Sequence, residues 1–267
     1  MPDATPDQSP LVAWTAALEH SHRRLADAVA PLSADQVAGP SYDREWSIAQ
    51  VLSHLGSGAE IFQLFLRAGL LGEDPPGPEA FAPIWARWDA KPPVDQAADA
   101  VVTDRAFVDR LLALDDAERA AWSLDLFGER RGFGELLRLR LGEHALHTWD
   151  VVVMDDPHAT VAPDAVGLLI DGLGQLVARA GRPAEEAVRV HITTTNPARR
   201  LLIEVDAEGA RLTPSDGVPA RPGDATVSLP AEALIRLVYG RLDEGHTPAL
   251  EGDTAVLDDL RAVFPGF

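Results

Sequence analysis

Three side chains in this sequence are spaced to act on a single ion. His54 lies in Trp46-Ser47-Ile48-Ala49-Gln50-Val51-Leu52-Ser53-His54-Leu55, and much further along the chain Glu143 and His147 stand four apart in Leu141-Gly142-Glu143-His144-Ala145-Leu146-His147-Thr148-Trp149-Asp150. Residues four apart on an α-helix differ by about 40° around the axis and can reach a common ligand. Two helices can therefore offer an imidazole, a carboxylate and a second imidazole to one metal ion. Three protein donors of mixed nitrogen and oxygen type leave a coordination position for water, a thiol or a substrate, which separates catalytic zinc sites from closed structural ones. The same residues also admit a plainer account. His54 would then be a satisfied histidine beside a helical core, and Arg140, Glu143, His147 and Asp150 an exposed ladder of helix ion pairs. Spacing alone does not separate the two.

Two neighbours bear on the choice. Asp150, less than one turn beyond His147, is placed to fix its tautomer as a hydrogen-bond acceptor behind the metal, or to serve as a surface acid or a partner for Arg140. His144 points about 60° away from His147 on a helical projection. It reads as a residue facing a neighbouring helix, with an i,i+3 pair with His147 as the competing metal arrangement.

These residues need rigid elements to carry them. Apolar positions recur at helical spacing from Leu11 to Val29, and Pro31 ends that run. Ser47 and Gln50 form the S-x-x-Q pattern of a capping box with Trp46 before it as a hydrophobic staple, so a second helix is expected from there to about Leu70, with His54 buried or half-buried on its flank. Residues 72–97 are rich in Pro and Gly, with a short helix expected at Glu79–Trp88. Further helices follow at Asp95–Leu114 and Gly132–Met154. Four long helices argue for an all-α bundle, in which metal sites project inward from facing helices. After Asp155-Asp156-Pro157-His158 the pattern changes. One helix is expected at Pro163–Ala180, strands at Val188–Thr194, Leu201–Val205, around Arg211 and at Asp224–Leu229, and helices at Pro230–Arg241 and Thr254–Val263. The second half therefore reads as a small α+β domain.

Composition bounds the partners. The chain has 267 residues, 46% of them hydrophobic and 24% charged, which suits a soluble protein of two domains. A net charge of −19 would repel a nucleic-acid backbone or an anionic bilayer, so neither is expected as a partner. No apolar run is long enough to span a membrane, and the acidic, Pro-rich opening residues do not read as a secretory signal, so the expected location is cytoplasmic. Cysteine is absent, which excludes disulfides, thiolate ligands and a protein-thiol nucleophile. Any thiol chemistry here uses a borrowed thiol.

The motifs Trp46-Ser47-Ile48 leading to Val51-Leu52-x-His54-Leu55, Glu143-x-x-x-His147-x-x-Asp150, Leu237-Val238-Tyr239-Gly240-Arg241 and Glu251-Gly252-Asp253 occur in that order along nearly the whole length. On them the chain resembles the mycothiol-dependent maleylpyruvate isomerase family. The resemblance implies a DinB-like four-helix bundle over residues 1–157 and a sterol-carrier-like α+β domain over 158–267, with the helix at 163–180 near the junction and able to pack on the bundle. It implies that His54, Glu143 and His147 bind a divalent metal, usually taken to be Zn2+, and that the thiol is mycothiol or another low-molecular-weight thiol. A metal-activated thiolate would then attack a small electrophilic or unsaturated acid, making the protein a cis-trans isomerase or an S-transferase, as a monomer or homodimer. Arg87 and Arg241 are candidates for holding a carboxylate, since guanidinium binds it bidentately, and equally read as solvated arginines. His20, His22, His158, His191 and His246 read as ordinary surface or loop residues. Two further readings are a non-catalytic module that keeps a metal for structure and binds a small ligand or partner, and a regulator with a vestigial site.

Overall fold

The computed structural model describes residues 9–43 and 45–266, with side chains from residue 11 onward. The opening segment read above as no secretory signal lies outside the described residues. The chain divides into two compact units, Met1–Ala159 and Thr160–Phe267.

The first unit is helical. It contains α1 (Ser9–Val29), α2 (Ala34–Ala38), α3 (Ile48–Leu71), α4 (Pro78–Asp89), α5 (Pro93–Leu112), α6 (Asp116–Ala121), a hairpin of β1 (Ser123–Leu126) and β2 (Glu129–Gly132), and α7 (Phe133–Val152). The four long helices pack in a closed cycle, α1 on α7 and α5, and α3 on α5 and α7. Two glycines of α3 admit indoles at close range. A Cβ on Gly56 would fall 2.2 Å from the Trp88 ring, and one on Gly69 would fall 2.3 Å from that of Trp122. Both tryptophans are buried; Trp122 Nε1 donates to Leu66 O and Trp88 Nε1 to Glu60 Oε1. Residues missing from the sequence reading have short signatures. Ser33 and Gln36 form a capping box that starts α2, a helix absent from the sequence reading. The hairpin turns at Phe127 and Gly128, whose positive φ values of 56° and 81° match a tight two-residue turn.

Inside the cycle lies a polar core that the sequence reading did not contain. Asp104 of α5 accepts hydrogen bonds from His22 Nδ1 (2.8 Å) on α1, and from Arg140 Nη2 (2.6 Å) and His144 Nε2 (2.8 Å) on α7. Arg140 Nη2 also donates to Leu55 O of α3 at 3.0 Å, and Ser21 Oγ lies 2.8 Å from His144 Nδ1. All four of these charged or titratable side chains are at most 5% exposed. His22 is therefore a correction to the sequence reading: it is not a surface residue but a buried partner of Asp104. It lies on the same face of α1 as Leu18 and Leu25, which are themselves buried.

The second unit contains α8 (Pro163–Leu169), a 3-10 turn at Ile170–Gly172, α9 (Leu173–Ala180), β3 (Val188–Thr195), β4 (Arg199–Asp206), β5 (Gly209–Pro214), β6 (Ala225–Pro230), α10 (Ala231–Val238), a second 3-10 turn at Glu244–His246, β7 (Glu251–Gly252) and α11 (Val256–Val263). The sheet order is β5-β4-β3-β6-β7, with β3 and β6 parallel and the other neighbours antiparallel. Val190, Ile192 and Thr194 alternate inward along β3, α10 is buried along its length, and α9 packs on β5. The single helix expected at 163–180 is broken in two. Its break carries Asp171, which takes a two-pronged ion pair from Arg199 of β4. His191 is a second correction, half-buried on β3 with Nε2 3.1 Å from Asp224 Oδ2.

Two outcomes follow from the polar core. Asp104→Asn leaves the Arg140 charge buried without its counter-ion and should cost about 3–5 kcal/mol of stability in urea unfolding; a cost below about 1 kcal/mol would contradict the network. Burial holds the His144 imidazole below its ordinary 6.5 although Asp104 opposes this. The unfolded chain therefore takes up a proton that the folded chain refuses. Stability should be complete above about pH 6.5 and fall as pH drops toward the folded value, with Asp104, itself held low, adding a further loss in stronger acid. Denaturant midpoints across the histidine range read this out; a flat profile there would contradict it.

Candidate metal centre

The residues that present His54 are fixed from both sides. Ser47 caps α3, its Oγ accepting from Gln50 N while Gln50 Oε1 accepts from Ser47 N at 2.8 Å. Upstream, the Ser41 amide and hydroxyl both donate to Trp46 O, and Ile48 N donates to Gly39 O. Tyr42 N donates to Asp150 O at 3.2 Å, which ties this entry loop to α7. The Tyr42 ring meets Trp149 edge-on at 4.7 Å. On α7 itself, the helical stagger sends Arg140 and His144 to Asp104 and leaves Glu143 and His147 facing His54.

The geometry of the cluster is compact. His54 Nε2 lies 3.1 Å from Glu143 Oε2, His147 Nε2 lies 3.7 Å from the same oxygen, and one donor atom from each residue falls within 4.8 Å of the others. Behind it, His147 Nδ1 lies 2.8 Å from Oδ2 of Asp150, which has no exposed surface. A carboxylate only accepts, so Nδ1 carries a proton and Nε2 is the nitrogen turned toward Glu143. Burial lowers the His54 pKa, helped by the nearby His147, and outweighs the hydrogen bond to Glu143 that would raise it. For Glu143, burial would raise the pKa, but hydrogen bonds from His147 and His54 prevail and hold the carboxyl well below the usual carboxylate range. A neutral imidazole and an ionised carboxylate are the forms a metal ion needs.

These donors fit a divalent ion of borderline softness. Two imidazole nitrogens and one carboxylate oxygen are a set that zinc and neighbouring transition metals accept, and they leave at least one position open. The exposed ion-pair ladder does not match the structure, because Arg140 and Asp150 are 1% and 0% exposed. His144 is directed to Asp104 and Ser21, and among the described residues only His54, Glu143 and His147 form a group able to hold a metal. Arg87, on α4, is exposed and pairs with Glu60 rather than joining this cluster. Arg241 lies in the second unit, where Nη1 donates to Tyr239 O. Asp104 escapes the sequence reading, yet it carries a signal: a lone acid at helical spacing from Ala97, Ala100, Phe107 and Leu111, all buried.

With that geometry in place, comparison with known proteins becomes informative. The family described as the mycothiol maleylpyruvate isomerase N-terminal domain matches residues 18–152, just over half of the chain and all three clustered side chains. No curated protein matches the chain in sequence. A crystal structure of the mycothiol-dependent maleylpyruvate isomerase is similar over 94% of this chain and 94% of that one, with a TM-score of 0.63 at 14% identity. The structure of a histidine-to-alanine mutant of that enzyme gives the same figures. At such identity the likeness speaks for the fold: a helical region followed by a sheet-containing domain.

The orientation of His147 has a direct readout. Long-range proton–nitrogen NMR of the metal-free protein should find a proton on His147 Nδ1, and Asp150→Asn should allow a ring protonated on Nε2 alone to appear. A ring protonated on Nε2 alone in the unsubstituted protein would contradict the geometry.

Proposed function

The chain belongs to the mycothiol maleylpyruvate isomerase N-terminal domain family, and on that premise we propose that it is an enzyme dependent on a divalent metal, most simply Zn2+, and on mycothiol or a similar small thiol. In this reading the cycle of long helices is the DinB-like four-helix bundle that holds the metal, and the second unit is the sterol-carrier-like α+β domain. The observation that carries it is the convergence of His54, Glu143 and His147 to within 4.8 Å, with the proton of His147 held on the far side by Asp150.

When bound, the cation supplies Lewis acidity that lowers the pKa of a thiol beside it, and the thiol supplies the nucleophilic sulfur that a chain without cysteine lacks. The protein's own residues do the rest by placement. His54 and His147 would offer nitrogen lone pairs to the ion, Glu143 would contribute a negative oxygen that balances part of its charge, and Asp150 keeps the His147 ring from turning. Three protein donors leave space for sulfur. The substrate class is a small electrophilic or unsaturated acid, and the reaction class is thiol-assisted isomerisation or S-transfer. Arg87 and Arg241 both have protein partners for their guanidinium groups, and the proposal assigns neither a role.

Elemental analysis of the purified protein should find one divalent metal per chain. His54→Ala and His147→Ala should each lose it while keeping helical circular dichroism, and calorimetry should show mycothiol binding only to the metal-loaded form. Stoichiometric metal retained in both variants would overturn the assignment of the ligands. Mycothiol affinity that is absent, or indifferent to metal, would overturn the thiol-dependent reading.

A further inference from the structure

Trp46 stands over both imidazoles of the cluster. Its ring is nearly parallel to that of His147, with 19° between the planes and centroids 6.2 Å apart, and it meets His54 at 5.3 Å and 49°. The two imidazoles meet each other edge-on at 4.7 Å. One indole thus flanks two rings that come from different helices, within the range over which aromatic faces attract.

The indole is itself held in place. Trp46 O accepts from the Ser41 amide at 3.0 Å and from its hydroxyl at 2.9 Å, Trp46 N donates to Asp43 O at 2.9 Å, and the next residue caps α3. The half-buried side chain also packs against a core cluster that includes Ile48, Val51 and Leu52. A hydrophobic staple before a helix requires only an apolar residue, so leucine would serve. An aromatic face across two imidazoles exceeds that requirement.

The two histidines differ in how they are steadied. The His147 ring is fixed by Asp150 from behind. For His54 the hydrogen-bond acceptor is Glu143, a member of the same cluster, and the terminal torsion of a histidine is broad and soft. Packing must therefore set the plane of His54, and the aromatic side chains beside it are His147 and Trp46. We propose that Trp46 is a positioning residue of the metal centre, its indole fixing the ring planes of His54 and His147 so that both nitrogens meet one ion. This rests on the metal-binding reading given above.

Cobalt(II) is the probe, because its visible absorption reports coordination geometry and its uptake can be titrated without any substrate. The comparison uses the full chain, Trp46→Leu, which keeps an apolar staple without an aromatic face, and Trp46→Phe, which restores one. Trp46→Leu should bind cobalt(II) about tenfold or more weakly with an altered visible spectrum, and Trp46→Phe should recover both, while circular dichroism is unchanged throughout. Wild-type affinity and spectrum in Trp46→Leu would overturn the proposal. Should that variant fail to fold, the emission lost between wild type and Trp46→Phe isolates the Trp46 signal. Its quenching by cobalt(II) supports the placement, and indifference to the ion overturns it. Failure of the wild-type protein to take up cobalt(II) at all would instead overturn the metal-binding reading itself.

Discussion

One buried carboxylate organises the helical unit of this protein. Asp104 draws a histidine from α1 and an arginine and a histidine from α7, and the same arginine reaches the Leu55 carbonyl of α3. All four long helices therefore meet at one buried polar point. The arrangement is costly by itself, since desolvating an ion pair offsets most of its attraction. Its consequence is directional. Apolar packing alone would tolerate rotation or slippage of α7, whereas hydrogen bonds from Arg140 and His144 fix its register. Once that register is set, Glu143 and His147 have a single direction left. The bond from Arg140 to Leu55 O sits beside His54 in the chain, so the two sides of the candidate centre are registered against each other at the point where it matters.

The polar core and the candidate centre use the same residue types for opposite purposes. In the core, histidines are satisfied: His144 has Asp104 on one nitrogen and Ser21 on the other. At the centre, His147 has Asp150 on one nitrogen while the other faces a carboxylate shared with His54. Satisfied histidines lock helices together. Histidines whose nitrogens converge on one shared carboxylate oxygen are prepared for a third party. The difference lies in which side of α7 each residue occupies.

Much of this is legible in the sequence, and the limits are physical. Local codes read well: the Ser47–Gln50 box, the i,i+4 spacing of Glu143 and His147, and the alternation along β3 are each written within a few residues. Breaks such as that at Ile170–Gly172, and short pieces such as α2 and the β1–β2 hairpin, are harder, because each rests on a single turn. The Asp104 core is hardest, since its partners lie on separate helices and only their positions on apolar faces betray them. Reading His22 as a surface residue was the natural error, because a histidine beside arginines is usually solvated. The tertiary partner, not the local pattern, decides its burial.

The proposed function gives this centre a thiol to act on, and a chain without cysteine would take that sulfur from outside. The measurement that bears most directly on this is X-ray absorption spectroscopy of the metal-loaded protein with and without mycothiol. It should show a first shell of nitrogen and oxygen only, with the outer-shell pattern of two imidazoles, that gains one sulfur at about 2.3 Å when mycothiol is added. A shell without imidazole, or one that never admits sulfur, would contradict it.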